Sequence, residues 1–230
     1  MSELSKYFTD TFSHHYKSKT PDDFMIIRGD FRFSVLSSRI IRVEKDKKRL
    51  FTDEATQTVI CRDFDRPKFS FKQDGNKIVI RTEDIAFHFD LSKGKTESIT
   101  LKDSRCVSDF KSGNLKGTFR TLDMINGSVK LGDGLMSKNG VSVVDDSKTV
   151  IMSTDGTMKE RRHVQKDEYY FAFGDDFRGC LREFFKLCGS VPLVPRYCLG
   201  NWWSRYKDYS QQEYVDLMKK FIERDIPVSV

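Results

Sequence analysis

The sequence lacks the patterns of a membrane-embedded or disulfide-stabilised protein. None of its apolar runs approaches the roughly 18 to 20 residues that a bilayer-spanning helix needs, and its first residues contain no uninterrupted apolar leader. The five cysteines are scattered and include no C-x-x-C pair, so neither a disulfide framework nor a zinc site is indicated. We therefore expect a soluble, cytoplasmic protein whose cysteines are mostly small buried apolar residues.

Motifs for metal, nucleotide and serine-hydrolase chemistry are also missing. The four histidines have neither H-x-x-x-H nor H-E-x-x-H spacing, and the chain has no G-x-x-x-x-G-K-[ST] loop and no G-x-S-x-G elbow. The net charge is +6, but basic and acidic residues are mixed along most of the chain, without a basic stripe interleaved with stacking aromatics. The sequence thus predicts no metal, no cofactor and no nucleic-acid partner.

The chain does contain many apolar residues, and they alternate with polar residues in short segments. Hydrophobic residues make up 38% of the 230 residues, and 19 of them are Phe, which is enough for a large core. Period-two alternation predicts strands at 31–36, 39–44, 68–73, 77–82, 85–90, 98–102, 141–145, 148–153 and 169–174. Many short strands separated by Gly, Asp and Asn are typical of a β-sandwich or barrel.

The pattern changes at Asp175. Apolar residues from 177 to 188 recur at helical spacing after a capping Asp, Gly189 ends that helix, and two prolines then mark a rigid linker. Beyond the linker, 197–206 reads as a buried strand. A helix follows from Ser210 to Arg224, because Ser210 and Glu213 have capping-box spacing, and 227–230 begins another strand. Strand, helix and strand in so short a span indicate the opening of a parallel βαβ unit.

Three stretches resemble, in the same order, segments of glycoside hydrolase family 31, the α-glucosidase and α-xylosidase family. The first is FTDEATQTV at 51–59. The second is NLKGTFRTLD at 114–123, continued by DGLMS at 133–137 and DDS at 145–147. The third is PRYCLGNWWSRY at 195–206, similar to the first barrel strand of the family. One departure is Lys207-Asp208, where close relatives of the motif tend to have Trp-Pro.

The resemblance implies a mainly β chain in three parts. Residues 1–175 would form a galactose-mutarotase-like β-sandwich, 176–195 a linker helix with a proline-containing connection, and 196–230 the start of a (β/α)8 TIM barrel. A barrel closes only with all eight strands, so we expect the barrel of this chain to be incomplete. The family's nucleophile and acid/base carboxylates lie on later barrel strands, so no catalytic residue is expected here.

The resemblance also suggests substrate-binding residues. Trp203, Arg205 and Tyr206 would lie near the carboxyl end of the first barrel strand, where barrel active sites are found. For Trp203, packing in the core is an equally good interpretation. Asp133 would shape the sugar pocket from a sandwich loop, although a tight turn between Gly132 and Gly134 is the favoured alternative.

Two alternative functions are considered for the chain. The first is the N-terminal part of a retaining α-glycosidase that hydrolyses O-glycosyl bonds of α-glucosides or α-xylosides, with this chain inactive alone. The alternative is a free-standing carbohydrate-binding or interaction module. The expected partner is a carbohydrate, with possible self-association through an exposed apolar C-terminal segment. The adjacent Asp145 and Asp146 resemble a carboxylate dyad, but turn formation before Ser147 is the better interpretation.

Overall fold

The computed structural model describes residues 16–117, 125–161, 166–191 and 193–230. The chain divides into two compact units, Met1–Ser190 and Val191–Val230. The strands described are β1 Met25–Arg28, β2 Phe31–Ser37, β3 Ile40–Lys45, β4 Ala55–Thr56, β5 Phe69–Asp74, β6 Lys77–Thr82, β7 Ile85–Asp90, β8 Lys95–Leu101, β9 Cys106–Val107, β10 Val141–Asp145, β11 Ile151–Met152, β12 Met158–Lys159 and β13 Lys166–Ala172. The helices are α1 Phe177–Cys188, α2 Gln211–Glu223 and short 3-10 turns at Asp22–Phe24 and Arg196–Leu199.

The first unit contains a β-sandwich of two antiparallel five-stranded sheets. Their strand orders are β1-β2-β3-β13-β10 and β5-β6-β7-β8-β9, and β4, β11 and β12 form a small third sheet. Alternate residues point into the space between the two large sheets, as the period-two pattern predicts. The fully buried members of this core include Phe33, Ile41, Val43, Ile78, Ile80, Phe87, Phe89 and Ile99. The mainly β fold predicted from the sequence is therefore confirmed.

The outer face of the first sheet is buried too. Helix α1 contributes Cys180 and Leu187 to a second apolar cluster, together with Leu36, Ile40, Val59, Phe64, Tyr169 and Phe171. Asp176 caps this helix by accepting a hydrogen bond from the Gly179 N–H at 2.9 Å. The helix spans the predicted residues, and Gly189 follows it with φ +89°.

Charged side chains lie beside this second cluster, deep in the unit. The Arg42 guanidinium donates from Nε and Nη2 to the two carboxylate oxygens of Asp167 at 2.7 and 2.8 Å. Arg161 links Asp167 to Asp146 with two contacts of 2.8 Å. Burial disfavours the charged form of Asp167, but Arg42 and the neighbouring Arg62 and Arg161 outweigh it and lower its pKa to about 2. This buried ionic cluster joins β3, β13 and the segment after β10.

The adjacent residues Asp145 and Asp146 have different structural roles. Asp145 accepts hydrogen bonds from the backbone N–H and the hydroxyl of Ser147, at 2.9 and 2.5 Å, which is the predicted turn chemistry. Asp146 instead is fully buried and accepts from Thr56 at 2.8 Å and from Arg161. The two neighbours therefore do not act as a dyad.

The second unit departs from the predicted strands. Residues 196–199 form a 3-10 turn, in which the N–H groups of Cys198 and Gly200 bond back to Pro195 and Tyr197, and the described residues 197–206 and 227–230 contain no strand. Two backbone hydrogen bonds of 2.9 and 2.8 Å nevertheless join Asn201 to Ser229 and Trp203 to Val230. The strand predictions are wrong because the turn after Pro195 shortens the extended segment to a few residues, too few for a ladder. The capping box of α2 is confirmed.

Candidate functional site

Asp133 lies in an arm of the sandwich unit that sequence patterns do not reveal as a hairpin. We call residues 112–117 and 125–138 the arm. Leu115 N–H donates to Met136 at 2.8 Å, and Gly117 N–H donates to Gly132 at 3.0 Å. The Asn114 side chain holds Gly134 from both sides, donating to its carbonyl at 2.9 Å and accepting from its N–H at 2.8 Å. The two legs are therefore hydrogen-bonded to each other on either side of Asp133.

Gly134 is required by this close approach of the legs. A Cβ atom at this position would lie 2.0 Å from the Leu115 carbonyl oxygen, which no side chain can tolerate. Residues 132–134 form no turn. The interpretation of Gly132-Asp133-Gly134 as a tight turn is thus wrong, since the glycine serves backbone contact.

The Asp133 carboxylate is exposed and paired with Lys116 across the arm. The hydrogen bond and the charge of Lys116 lower the pKa of Asp133, so the group is an ionised acceptor at neutral pH. An exposed carboxylate of this kind can accept hydrogen bonds from hydroxyl groups. Its ion pair with Lys116 links the two legs of the arm at the protein surface.

The other three predicted site residues, Trp203, Arg205 and Tyr206, all lie in the second unit. The half-buried Trp203 ring packs edge-on against Phe221 of α2, with centroids 5.3 Å apart and planes at 68°. This contact supports the packing interpretation of Trp203. The neighbouring Trp202 is 60% exposed and donates from its indole N–H to the Cys198 carbonyl at 2.9 Å.

Arg205 and Tyr206 are the accessible members of the predicted set. Tyr206 is fully exposed, and Arg205 is exposed. Within the described part of the chain, neither side chain has a hydrogen bond or an ion pair. A free guanidinium can donate up to five hydrogen bonds, and a free phenol ring offers a flat apolar face with a polar end. These two residues therefore have the chemistry to hold a hydroxyl-rich ring.

A cleft on the sandwich was not foreseen from the sequence. It encloses about 400 Å³ and is lined by Arg39, Asp84, Leu101, Lys102, Asp103, Arg105, Ala172, Phe173, Gly174, Asp175 and Asp176. Arg39 bonds Asp84 at 3.2 Å and Asp176 at 2.8 Å, so its charged groups already satisfy one another. Only tertiary contacts between distant segments could have revealed it.

The described residues have neither a cluster of metal-binding side chains nor a membrane-spanning helix. No group of three or more His, Cys, Asp or Glu side chains there could hold a metal ion. Nor does any helix in those ranges have the length and apolarity to cross a membrane.

Comparison with known proteins finds relatives that match part of the chain. No protein-family model matches it. An α-xylosidase of Saccharolobus solfataricus is 36% identical over 66 residues, covering 29% of this chain and 9% of that enzyme. α-Glucosidase 2 of Bacillus thermoamyloliquefaciens is 36% identical over 63 residues, or 27% of this chain and 8% of that enzyme. An uncharacterised family 31 glucosidase of Pseudescherichia vulneris is 29% identical over 69 residues, which cover 30% of this chain and 13% of that protein.

Solved structures of family 31 enzymes have a fold similar to that of this chain. A family 31 α-xylosidase from a soil metagenome aligns with a TM-score of 0.55 at 10% identity, covering 87% of this chain and 40% of that one. The chain is similar to proteins of glycoside hydrolase family 31, in sequence over about 30% of its length and in fold over most of it. A second family 31 structure, the dextranase of Flavobacterium johnsoniae, aligns with a TM-score of 0.50 at 14% identity over 94% of this chain and 33% of its own. The chain therefore matches well under half the length of these family 31 proteins.

Proposed function

We propose that this chain is the N-terminal part of a retaining α-glycosidase that hydrolyses α-glucosides or α-xylosides. The observation that carries the proposal is the 36% identity to both an α-xylosidase and an α-glucosidase over more than 60 residues each. The fold supports it, since family 31 structures align with most of this chain. In such a protein the sandwich would support the barrel, and bond cleavage would take place elsewhere.

The carboxylates of the described residues are consistent with a non-catalytic role. Retaining hydrolysis needs a nucleophile about 5 to 5.5 Å from an acid whose pKa is raised, so that it carries a proton near neutrality. Every described carboxyl group with a displaced pKa has that pKa lowered by hydrogen bonds or cations: Asp84, Asp90, Glu97, Asp103, Asp109, Asp133, Asp155, Asp167, Asp176 and Glu213. None of these ten suits the acid role.

Substrate contact is proposed for four residues. Arg205 would donate hydrogen bonds to sugar hydroxyls, and Tyr206 would stack on the apolar face of a pyranose. Asp133 would accept from a hydroxyl at the rim, and Trp203 would form a fixed wall. Sugars as partners are supported by two structural neighbours, a dextranase complexed with glucose and an α-xylosidase complexed with xylose.

The first test uses the 230-residue chain as it stands. Purified chain should hydrolyse 4-nitrophenyl α-glucoside and α-xyloside no faster than the buffer blank. Turnover that survives purification and disappears on substitution of an Asp or Glu in this chain would contradict the assignment of catalysis to other residues. Calorimetric titration with glucose, xylose and their α-linked oligomers distinguishes the enzyme fragment from the alternative function. Micromolar binding by this chain alone would favour a free-standing module.

The second test is the coding sequence itself. The proposal predicts that the coding sequence specifies, after Val230, the remaining barrel strands and the two carboxylates that act as nucleophile and acid/base. In that protein, Arg205→Ala and Tyr206→Ala should raise KM or lower kcat/KM, while Lys207→Ala serves as an exposed neighbouring control. Unchanged kinetics in both variants would remove these residues from the site.

A further inference from the structure

The sequence contains two Asn-Gly dipeptides, Asn126-Gly127 and Asn139-Gly140, and the structure gives them opposite environments. In any Asn-Gly pair the glycine nitrogen can attack the asparagine side-chain carbonyl, because glycine has no Cβ to obstruct the approach. Whether the attack occurs depends on the freedom of both groups. The two sites therefore form a matched pair within one chain.

Asn126 and Gly127 are both exposed, in the arm. Gly127 has φ +95°, and no atom lies within 4 Å of the position that a Cβ would occupy. Within the described ranges, neither the Asn126 side chain nor the Gly127 N–H forms a hydrogen bond. The nucleophile and the carbonyl carbon that it attacks can thus reach each other without loss of a described interaction.

Asn139 and Gly140 are held on every side. The Asn139 amide donates to the Ser112 carbonyl and hydroxyl, at 2.9 Å each. The Gly140 N–H donates to the Ser137 carbonyl at 3.0 Å, and the buried Gly140 carbonyl accepts from Gly174 at 2.9 Å. Attack at this site requires the Asn139 side chain to leave Ser112 and the Gly140 N–H to leave the Ser137 carbonyl.

We propose that Asn126 is a site of spontaneous deamidation and that the fold protects Asn139. The Gly127 nitrogen bonds to Asn126 Cγ and loses its proton, and the side-chain nitrogen leaves as ammonia to give a cyclic imide. Water then opens the ring at either carbonyl, which yields aspartate or isoaspartate. The reaction consumes one water, releases one ammonia and needs no other reactant. It adds one negative charge to the arm that carries Asp133.

The test follows both sites in one sample. The folded chain is incubated at mildly alkaline pH, digested with trypsin and analysed by mass spectrometry, because cleavage gives peptides 121–130 and 139–148 with one site each. Conversion at Asn126 should be faster by roughly tenfold or more, since several hydrogen bonds must break at Asn139. An isoaspartate-specific methyltransferase should label peptide 121–130 first.

Two controls keep the proposal falsifiable. In concentrated urea the two rates should converge, because protection at Asn139 comes from the fold. Gly127→Ala should slow conversion at Asn126 and leave Asn139 unchanged. Equal rates in the folded chain, or a difference that persists in urea, would overturn the proposal.

Discussion

Asp167→Asn tests whether the buried ionic cluster stabilises the sandwich. Asp167 accepts three hydrogen bonds of 2.7 to 2.8 Å, two from Arg42 and one from Arg161. The side chains of Asp167 and Arg42 are each only 1% exposed. Asparagine keeps the shape of the side chain but removes the charge, and it turns an N–H donor toward the guanidinium groups. The variant therefore leaves buried cations without their principal counter-charge.

The expected cost can be estimated in two ways. Removing one partner of a buried ion pair destabilises proteins by roughly 3 to 5 kcal/mol. The lowering of the Asp167 pKa from 3.8 to about 2 corresponds to about 2 kcal/mol between its charged and neutral forms. Asparagine should cost more than protonation, because the protonated acid can reorient its proton and the amide cannot. We expect a loss of about 3 kcal/mol at neutral pH, a large share of a typical domain stability.

The assay is urea unfolding followed by circular dichroism of the sheets. Tryptophan fluorescence would report on the wrong unit, since Trp202 and Trp203 both lie in Val191–Val230. Asp65→Asn is the control, because its carboxylate is fully exposed in an ion pair with Lys186 and should leave the midpoint unchanged. Equal midpoints for Asp167→Asn and the native chain would refute the reasoning.

The pH dependence gives an independent check. Because the folded-state pKa of Asp167 lies below the unfolded value of 3.8, its contribution is present above that pH and is lost as the pH falls toward 2. The deficit of Asp167→Asn should therefore shrink between neutral pH and pH ~3. A deficit that stays constant over this range would show that charge is not its cause.

Two further substitutions test the helix and the second unit. Phe184→Ala removes a half-buried ring of α1 and should cost about 2 kcal/mol, less than a fully buried Phe; an unchanged melting temperature would show that the helix is not docked. Gly200→Ala would place a Cβ 1.9 Å from Ser229 Oγ, so amide exchange at Trp203 should accelerate, whereas Gly132→Ala, with open space around it, should have no effect there. Equal exchange in both variants would contradict the observed pairing.

Elements specified by local sequence were predictable. The hairpin of β5 and β6 turns at Gly75, where φ is +54°, and the alternation on both sides gave its strands to within one residue. The α1 and α2 boundaries followed from Asp176 and Ser210, whose side chains cap their own helices. In each case the residues that form the element also mark its limits.

Buried charges on a strand could not be predicted in this way. Arg32, Arg42 and Glu44 alternate with core residues and therefore read as a solvent face. In the structure all three are at least 96% buried, because the segment after β3 folds over that face. Arg32 and Glu44 pair with each other across the two strands, and Arg42 pairs with Asp167, 125 positions away. Period-two patterning carries no information on such pairs.

The second unit shows the same distinction within 40 residues. Helix α2 forms where its capping box predicts, because its hydrogen bonds are made within the segment. The predicted strand before it depends on a partner strand, and the structure supplies only the backbone of Ser229 and Val230. The Trp203 ring is instead positioned by Phe221, so substitution of Trp203 tests packing as well as sugar contact. Arg205 and Tyr206 have no such structural role in the described residues, and their variants therefore test substrate binding more directly.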